Sequence, residues 1–409
     1  MKIIPFFILT ILFFACSNGK ESKKAKLNMK SFEKGSYGFD LKFLKEHSNP
    51  VELKNGDARI IVSPDFQGRV MTSSAAGENG LSYGWINYDL IETGEVLPHI
   101  NPMGGEERFW LGPEGGQFSI FFKNGDAFDL KHWQTPSVID TEKYEMVASG
   151  KTFAEFKKSA KIKNYSNTEF QIEIKRKVVL LTNEEIAKEL GVGIEKNTKV
   201  VGYKTINNLK NTGTEAWKKE SGLLSVWLLG MFNPSPEVTI VVPFKTGVKS
   251  DYIVKDDYFG KIPAERLVVD TSGFVFLKGD GKYRGKIGIP PQRALPFLGS
   301  YDAHNHLLTI IKCEVKEGVT DYVNSAWELQ KYPFKGDAIN SYNDGPVADG
   351  KQLGPFYEME TSSPALALKA GESATYSQST FHLQGSEDEL DVICRKVLNL
   401  SLEKIKAVF

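Results

Sequence analysis

The sequence predicts an all-β protein, a sandwich or barrel with a few short helices. From about residue 50 to residue 385, short runs rich in Val, Ile, Thr, Phe and Tyr are separated by Gly, Asn, Asp and Pro. These turn signals recur roughly every 8–12 residues, and no regular helices alternate with the runs. Because no repeat and no Pro- or Ser-rich linker divides this stretch, we expect one large β domain.

Seven runs carry the β-strand prediction. Each is short, apolar or alternating, and bounded by turn-forming residues, as strands of a sandwich are. They are ARIIVSP (58–64), QFSIFF (117–122), TEFQIEIKRKVVLL (168–181), VTIVVPF (238–244), RLVVDTSGFVFL (266–277), HLLTIIKCEV (306–315) and SATYSQSTFHL (373–383).

Three segments predict helices. One precedes the first strand (36–48), and one interrupts the β texture (182–193). The third begins at a capping box, Ser386 and Glu389, and continues with apolar residues at helical spacing to the C-terminus. We expect this last helix to pack on the outside of the sandwich.

Charge excludes one class of function. The 51 basic residues balance 51 acidic ones, so no basic surface for nucleic acid is indicated.

No apolar run after the N-terminus approaches the length that a membrane span needs.

The N-terminus predicts a secreted, lipid-anchored protein. Residues 1–15 carry one Lys and then an apolar run too short for a comfortable membrane span, as in a signal peptide. The Ala15-Cys16 pair resembles a bacterial lipobox, which implies cleavage before Cys16 and acylation of its thiol; the alternative is a plain signal peptide cut nearby. Residues 16–34 are polar and Lys-rich, a flexible tether to the domain at 35–409. We therefore expect the bacterial cell envelope, periplasmic or at the outer-membrane surface.

The C-terminal strands resemble those of a known superfamily. A Glu-Thr pair at Glu360, a connection of about eight residues and then LKAGESATYSQSTFHL resemble the closing strands of the galactose mutarotase (aldose 1-epimerase) superfamily. That family has Leu-Glu-Thr-Gln, a connection, Leu-x-Pro-Gly-Glu and a final strand. The resemblance implies a β-supersandwich, in a divergent lipoprotein branch. Segments 64–80, 104–122 and 206–217 resemble earlier parts of the family.

The resemblance implies a general base at Glu360. In this family a base removes the anomeric hydroxyl proton while an acid, a His, protonates the ring oxygen, so that the ring opens and recloses. The family's His motif would fall near 222–236, where this sequence has no His. Strand periodicity places Glu358 on the same face as Glu360, where the two carboxylates either face water or share a cleft.

His304 and His306 are our candidates for the missing acid. Together with Asp302 they occupy alternate positions, so we expect them on one face of a strand. They would then supply an acid or, less specifically, metal ligands, although strand-face histidines are mostly plain polar surface. We assign no metal site.

The segment 104–116 concentrates groups that bind sugars. Arg108 offers a planar donor fork, Trp110 a flat face for a pyranose and Glu114 an acceptor. The alternative is a bulge and turn with a salt-bridged Arg and a core Trp. His132 lies beside a tryptophan near a loop, and Asp344 lies in a turn-rich loop leading to Glu358. The candidate substrate-binding residues are Arg108, Trp110, Glu114, His132, Asp344 and Glu358.

Two hypotheses about function remain open. The first is a carbohydrate-active enzyme, an epimerase or a lyase or hydrolase, with Glu360 as base and His304 or His306 as acid. The second is a non-catalytic glycan-binding lipoprotein that kept the cleft and lost the acid. Both predict a carbohydrate ligand, a membrane contact through Cys16, no cofactor, no nucleic acid and a monomer.

The lipid anchor can be tested directly. If Cys16 is acylated, the wild-type protein partitions with membranes and takes up labelled fatty acid in bacterial cells. The Cys16→Ala variant should take up none, because it lacks the thiol that accepts the lipid. Equal labelling of both proteins would contradict acylation at this residue.

Overall fold

The computed structural model describes residues 31–347 and 349–409. The predicted signal peptide, Cys16 and nearly all of the tether lie outside the described residues. Within the described part of the chain, no helix is both long and apolar enough to cross a bilayer.

Most of the regular secondary structure in the described chain is β-strand, as the spacing of its turn signals predicted. The strands are β1 (Val51–Asn55), β2 (Ala58–Ser63), β3 (Arg69–Ser74), β4 (Arg108–Gly112), β5 (Glu145–Ser149), β6 (Phe153–Lys163), β7 (Glu169–Leu180), β8 (Lys199–Asn211), β9 (Ser225–Phe232), β10 (Val238–Pro243), β11 (Leu267–Asp270), β12 (Phe274–Lys278), β13 (Gly285–Ile289), β14 (Phe297–Asp302), β15 (Leu307–Cys313), β16 (Ile339–Asn343), β17 (Tyr357–Ser362) and β18 (Ser373–Gln384). The helices are α1 (Tyr37–His47), α2 (Tyr88–Thr93), α3 (Ser137–Asp140), α4 (Asn183–Leu190), α5 (Glu387–Leu398) and α6 (Leu402–Lys406), with a 3₁₀ turn at Pro64–Phe66.

Three antiparallel sheets form the body. A ten-stranded sheet runs in the order β11-β12-β10-β14-β15-β18-β8-β7-β6-β5, and a five-stranded sheet runs β13-β16-β17-β9-β4. A three-stranded sheet of β1, β2 and β3 accompanies them. One hydrophobic core takes side chains from all three sheets, which is the sandwich architecture that the sequence predicted.

Strand β17 shows how the two larger sheets stack. The hydroxyl of Tyr357 lies 2.9 Å from that of Ser300 on β14, and the Thr361 hydroxyl donates to Gln378 on β18 at 2.6 Å. Tyr357 and Thr361 therefore face the ten-stranded sheet. Because side chains alternate along a strand, Glu360 points to the opposite face of the five-stranded sheet.

Helices cover the outer face of the ten-stranded sheet. The interrupting helix α4 and the C-terminal helices α5 and α6 pack their apolar residues on strands of that sheet in a second core. Both predicted N-termini carry complete capping boxes, Thr182 with Glu185 and Ser386 with Glu389. The free cysteines Cys313 and Cys394 are buried.

One predicted strand is absent. Residues 117–122 form turns, although Phe121 and Phe122 are buried. The Ser119 backbone N–H donates to the Gly116 carbonyl at 2.9 Å, and the Ser119 hydroxyl accepts from the Phe121 N–H at 3.0 Å. Burial of the aromatic rings, rather than pairing in a sheet, explains the apolar run.

A buried ion pair lies between the sheets. Arg176 on β7 donates to Glu107 at 2.9 Å, and both side chains are fully buried. Gln378, which accepts from Thr361, donates to the other carboxylate oxygen of Glu107 at 2.9 Å. Polar contacts thus connect this ion pair to the strand that carries Glu360.

Glu107→Gln should destabilise the protein strongly. The Arg176 guanidinium cannot lose its charge and would remain buried without its partner, at a cost of about 3–5 kcal/mol in the free energy of unfolding. Urea denaturation measures this cost. The control is Lys161→Met, which breaks the exposed Lys161–Glu169 pair and should cost less than about 1 kcal/mol. Equal losses in the two variants would contradict a special role for the buried pair.

Candidate functional site

The candidate site lies on the face of the five-stranded sheet that points away from the ten-stranded sheet. Directly opposed residues of antiparallel strands point to the same side. Glu360 opposes Asn340 on β16 and Leu229 on β9, and Leu229 opposes Arg108 on β4. The register therefore sets Glu360 and Arg108 on one face, two strands apart.

Glu360 is fully buried and has one satisfied and one unsatisfied oxygen. Its Oε2 accepts from Lys286 Nζ at 2.9 Å and from Trp227 Nε1 at 2.9 Å. Its Oε1 is buried and has no hydrogen-bond partner among the described residues. Such an oxygen is uncommon in a protein interior and calls for an explanation, such as a catalytic role or a bound water.

Lys286 is the cation of the site. Its ammonium lies 4.8 Å from the centre of the Trp227 ring and 5.8 Å from that of Tyr258. Burial lowers the pKa of Lys286, but the carboxylates of Glu360 and Glu114 outweigh burial and hold this pKa above its ordinary value. Lys286 therefore stays protonated, as a fixed positive charge between two aromatic rings.

Glu114 is the carboxyl group best suited to carry a proton. Burial, opposed by Lys286 and reinforced by the charge of Glu360, raises the pKa of Glu114 to about 7. Its backbone N–H donates to the Ser325 hydroxyl at 3.2 Å, and the Trp327 side chain favours the charged form of its carboxyl group and so opposes the rise in pKa. A carboxyl group with a pKa near neutrality can both donate and accept a proton at physiological pH.

Glu358 and Arg108 form a second ion pair beside Glu360. Both side chains are buried, and the Arg108 guanidinium lies 4.8 Å above the Trp110 ring. Burial raises the pKa of Glu358, while Arg108 opposes that rise. The two carboxylates do share a face, as strand periodicity predicted, and each has its own cation.

A small cavity of about 20 Å³ lies in front of Lys286. Glu360 is not exposed in it; Lys286 and Trp227 stand between. Glu114 is half-buried and lines the cavity. The lining residues are Gly112, Glu114, Ser225, Trp227, Tyr258, Lys286, Val323, Ser325, Asp337, Asn340 and Ser362.

The histidines proposed as acids lie elsewhere. His304 and His306 are in the turn between β14 and β15, not on a strand face, because the carboxylate of Asp302 caps that turn by accepting from the backbone of His304. Neither lines the cavity. His132 is in an exposed loop and pairs with Asp129 at 2.7 Å. The strand-face placement of His304 and His306 is therefore wrong, since a turn holds both residues, and none of the three histidines lines the cavity.

Two other candidates hold structural contacts. Trp110 is buried, packs edge-to-face with Trp227 at 5.5 Å between ring centres, and does not line the cavity. Asp344 accepts from the Tyr342 hydroxyl and from the Gly354 backbone at 3.0 Å. Asp344 contributes its charge near Glu358 but does not line the cavity.

Sequence reasoning missed three residues of the site. Lys286 stands at one position of the otherwise apolar strand β13, and a lone charge there was a usable signal. Tyr258 and Asp337 lie in irregular segments that the sequence pattern does not place near Glu360. Across residues 31–347 and 349–409, no group of three or more His, Cys, Asp or Glu side chains could hold a metal ion.

Structural comparison finds solved proteins with a similar arrangement of strands. A candidate aldose 1-epimerase from Escherichia coli K12 has 11% identity and a TM-score of 0.48, covering 83% of this chain and 99% of its own. A galactose mutarotase-like protein from Lactobacillus casei has 9% identity and a TM-score of 0.47, covering 82% and 100%. A candidate mutarotase from Salmonella typhimurium has 10% identity and a TM-score of 0.43, covering 82% and 94%.

Sequence comparison gives the family. No curated protein matches the chain. The model of a family of unknown function, DUF6786, matches residues 35–409, which is nearly the whole chain. The protein therefore belongs to the DUF6786 family.

Proposed function

We propose that the protein binds a carbohydrate at this cavity and transfers protons on it, as an aldose 1-epimerase-type isomerase or a related carbohydrate-active enzyme. One observation carries the proposal. Glu114, a carboxyl group with a pKa of about 7, and Glu360, with an unpartnered oxygen, flank the same buried ammonium of Lys286. Carboxyl groups in two different environments are the usual source of an acid and a base in one site.

Each carboxyl group takes a distinct role. Glu360 is the base, because its Oε1 is free to accept the anomeric hydroxyl proton while Oε2 is held by Lys286 and Trp227. Glu114 is the acid that protonates the ring oxygen, in place of the absent histidine. The ring then opens and recloses on the other face.

Lys286 and Arg108 orient the carboxylates rather than react. Lys286 is held protonated by its neighbours, so it is a poor nucleophile but a strong donor to an oxygen that gains charge. Arg108 holds Glu358, so the second carboxylate of β17 is engaged while Glu360 keeps one oxygen open.

The rival function is non-catalytic glycan binding. The complete burial of Glu360 behind Lys286 and Trp227 favours it, because a base must reach the proton that it removes. On this alternative, the buried pair only supports the wall of a binding site.

We further propose that the protein acts in the bacterial cell envelope, held by a lipid on Cys16. This proposal depends on the N-terminal sequence alone.

The Glu360→Gln variant should lose catalysis, whereas a Glu→Gln change at an exposed position should leave catalysis unchanged. Loss of the base should lower the rate of mutarotation of freshly dissolved α-D-glucose and α-D-galactose by at least about 100-fold, followed by polarimetry. Glu145→Gln, on an exposed position of β5, should leave the rate unchanged. Circular dichroism checks that the variant folds, because Gln leaves the Lys286 charge less compensated.

The same experiment separates the two functions. Sugar binding without any turnover in the wild-type protein, measured by calorimetry, would support the glycan-binding function. A Glu360→Gln variant that turns over sugar like the wild type would refute the assignment of Glu360 as base.

The pKa of Glu114 predicts a pH dependence. The acid must be protonated, so turnover should fall as the pH rises through about 7, and Glu114→Gln should lose the activity at every pH. The same raised pKa predicts that the stability of the folded protein also falls as the pH rises. The pKa of Glu114 is about 7 in the folded state and 4.5 in the unfolded chain, so the folded state binds the proton more tightly. The contribution of Glu114 to the free energy of unfolding is fully present below pH about 4.5 and is lost as the pH rises to about 7. Urea denaturation at pH 4.5 and 8 should therefore show a smaller pH-dependent loss in Glu114→Gln; an identical loss would contradict the raised pKa.

A further inference from the structure

A long irregular segment covers the cavity. Strand β10 ends at Pro243 and β11 begins at Leu267, and no other strand or helix lies between them. Phe244 and Ile262 are buried and anchor the two ends. Between them, none of residues 245–261, here called the covering segment, is buried.

Several contacts hold the covering segment, and two of them meet at one carboxylate of the site. Arg293 anchors its N-terminal end by donating to the Lys245 and Val248 carbonyls at 2.9 Å. Tyr258 lines the cavity, and its hydroxyl donates to Asp337. The Tyr252 hydroxyl donates to the other oxygen of Asp337 at 2.8 Å. Lys255 and Gly288, on β13, exchange two backbone hydrogen bonds of 2.8 Å.

The space under the covering segment is too small for a sugar. A cavity of about 20 Å³ has room for about one water molecule, whereas pockets for small ligands measure roughly 300–1,000 Å³. A pyranose therefore cannot enter while Tyr258 stays in place. Glu114 lines this closed space, and Glu360 lies behind Lys286 and Trp227.

The covering segment has no fully buried residue, and only its Ile253 and Val254 pack partly against the core. Segments with few buried apolar contacts open at lower free energy than core strands do. Irregular loops of this length in compact domains are commonly active-site lids. Gly247 and Gly260, with φ of +71° and +96°, lie near the two ends, where glycine tolerates changes of backbone angle.

We propose that residues 245–261 form a lid over the Glu114–Glu360 site, that the hydroxyls of Tyr252 and Tyr258 hold this lid closed on Asp337, and that a sugar-sized ligand enters only when the lid opens. Opening withdraws Tyr258 from the cavity wall and uncovers Lys286, behind which Glu360 lies. The identity of the ligand rests on the proposed function, but the motion of the lid does not.

Hydrogen exchange of the full chain, without sugar, tests the lid. Backbone amides of residues 245–261 should exchange faster than those of the adjacent sheet strands β10 and β12. The double variant Tyr252→Phe, Tyr258→Phe should raise the exchange rate in the covering segment by at least about tenfold, because each hydroxyl bond to a carboxylate is worth at least that in an equilibrium. Exchange in β10 and β12 should not change.

The control is Tyr332→Phe, which removes a half-exposed hydroxyl outside the covering segment and should leave its exchange unchanged. A covering segment that exchanges as slowly as β10, or that does not respond to the double variant, overturns the proposal. Each of these two results would refute the lid whether or not the protein binds a sugar. Conversely, a mobile lid over a site that binds no sugar would refute the proposed function alone.

Discussion

The buried contact between Lys286 and Glu360 is the interaction around which the site is built. It joins β13 to β17 across the intervening strand β16, at 2.9 Å between Nζ and Oε2. Burying two charges is costly unless additional groups compensate them. Trp227 donates to the same oxygen, and the Lys286 charge also faces Glu114. Lys286 therefore interacts with both Glu114, whose pKa is about 7, and Glu360.

The stacking of the sheets makes this contact possible. Thr361 and Gln378 link the lower face of β17 to the Arg176–Glu107 pair in the interior, so the strand cannot turn over or slip by one residue without breaking buried bonds. A slip would move Glu360 into the core between the sheets. The buried hydrogen bonds between the sheets and the contact of Lys286 with Glu360 therefore both depend on the register of β17.

The closed cavity connects the proposed chemistry with the proposed lid. Water exclusion strengthens the interactions of Lys286 with its carboxylates, since charges interact more strongly in a low dielectric. The same closure keeps Glu360 from a ligand. A lid latched by Tyr252 and Tyr258 reconciles the two requirements, because ligand entry and water exclusion then occur at different times.

The all-β architecture, the capped helices and the shared face of Glu358 and Glu360 follow from local patterns, because periodicity, turn residues and caps act within a few residues. Which side chains meet at the site depends on contacts between residues far apart in the sequence. Lys286 reaches Glu360 from 74 positions away, through pairing of β13 with β16 and of β16 with β17. The structure also places His304 and His306 in a turn of the ten-stranded sheet, whereas Glu360 lies on the five-stranded sheet. Such pairings depend on strand order and register, which no local pattern contains.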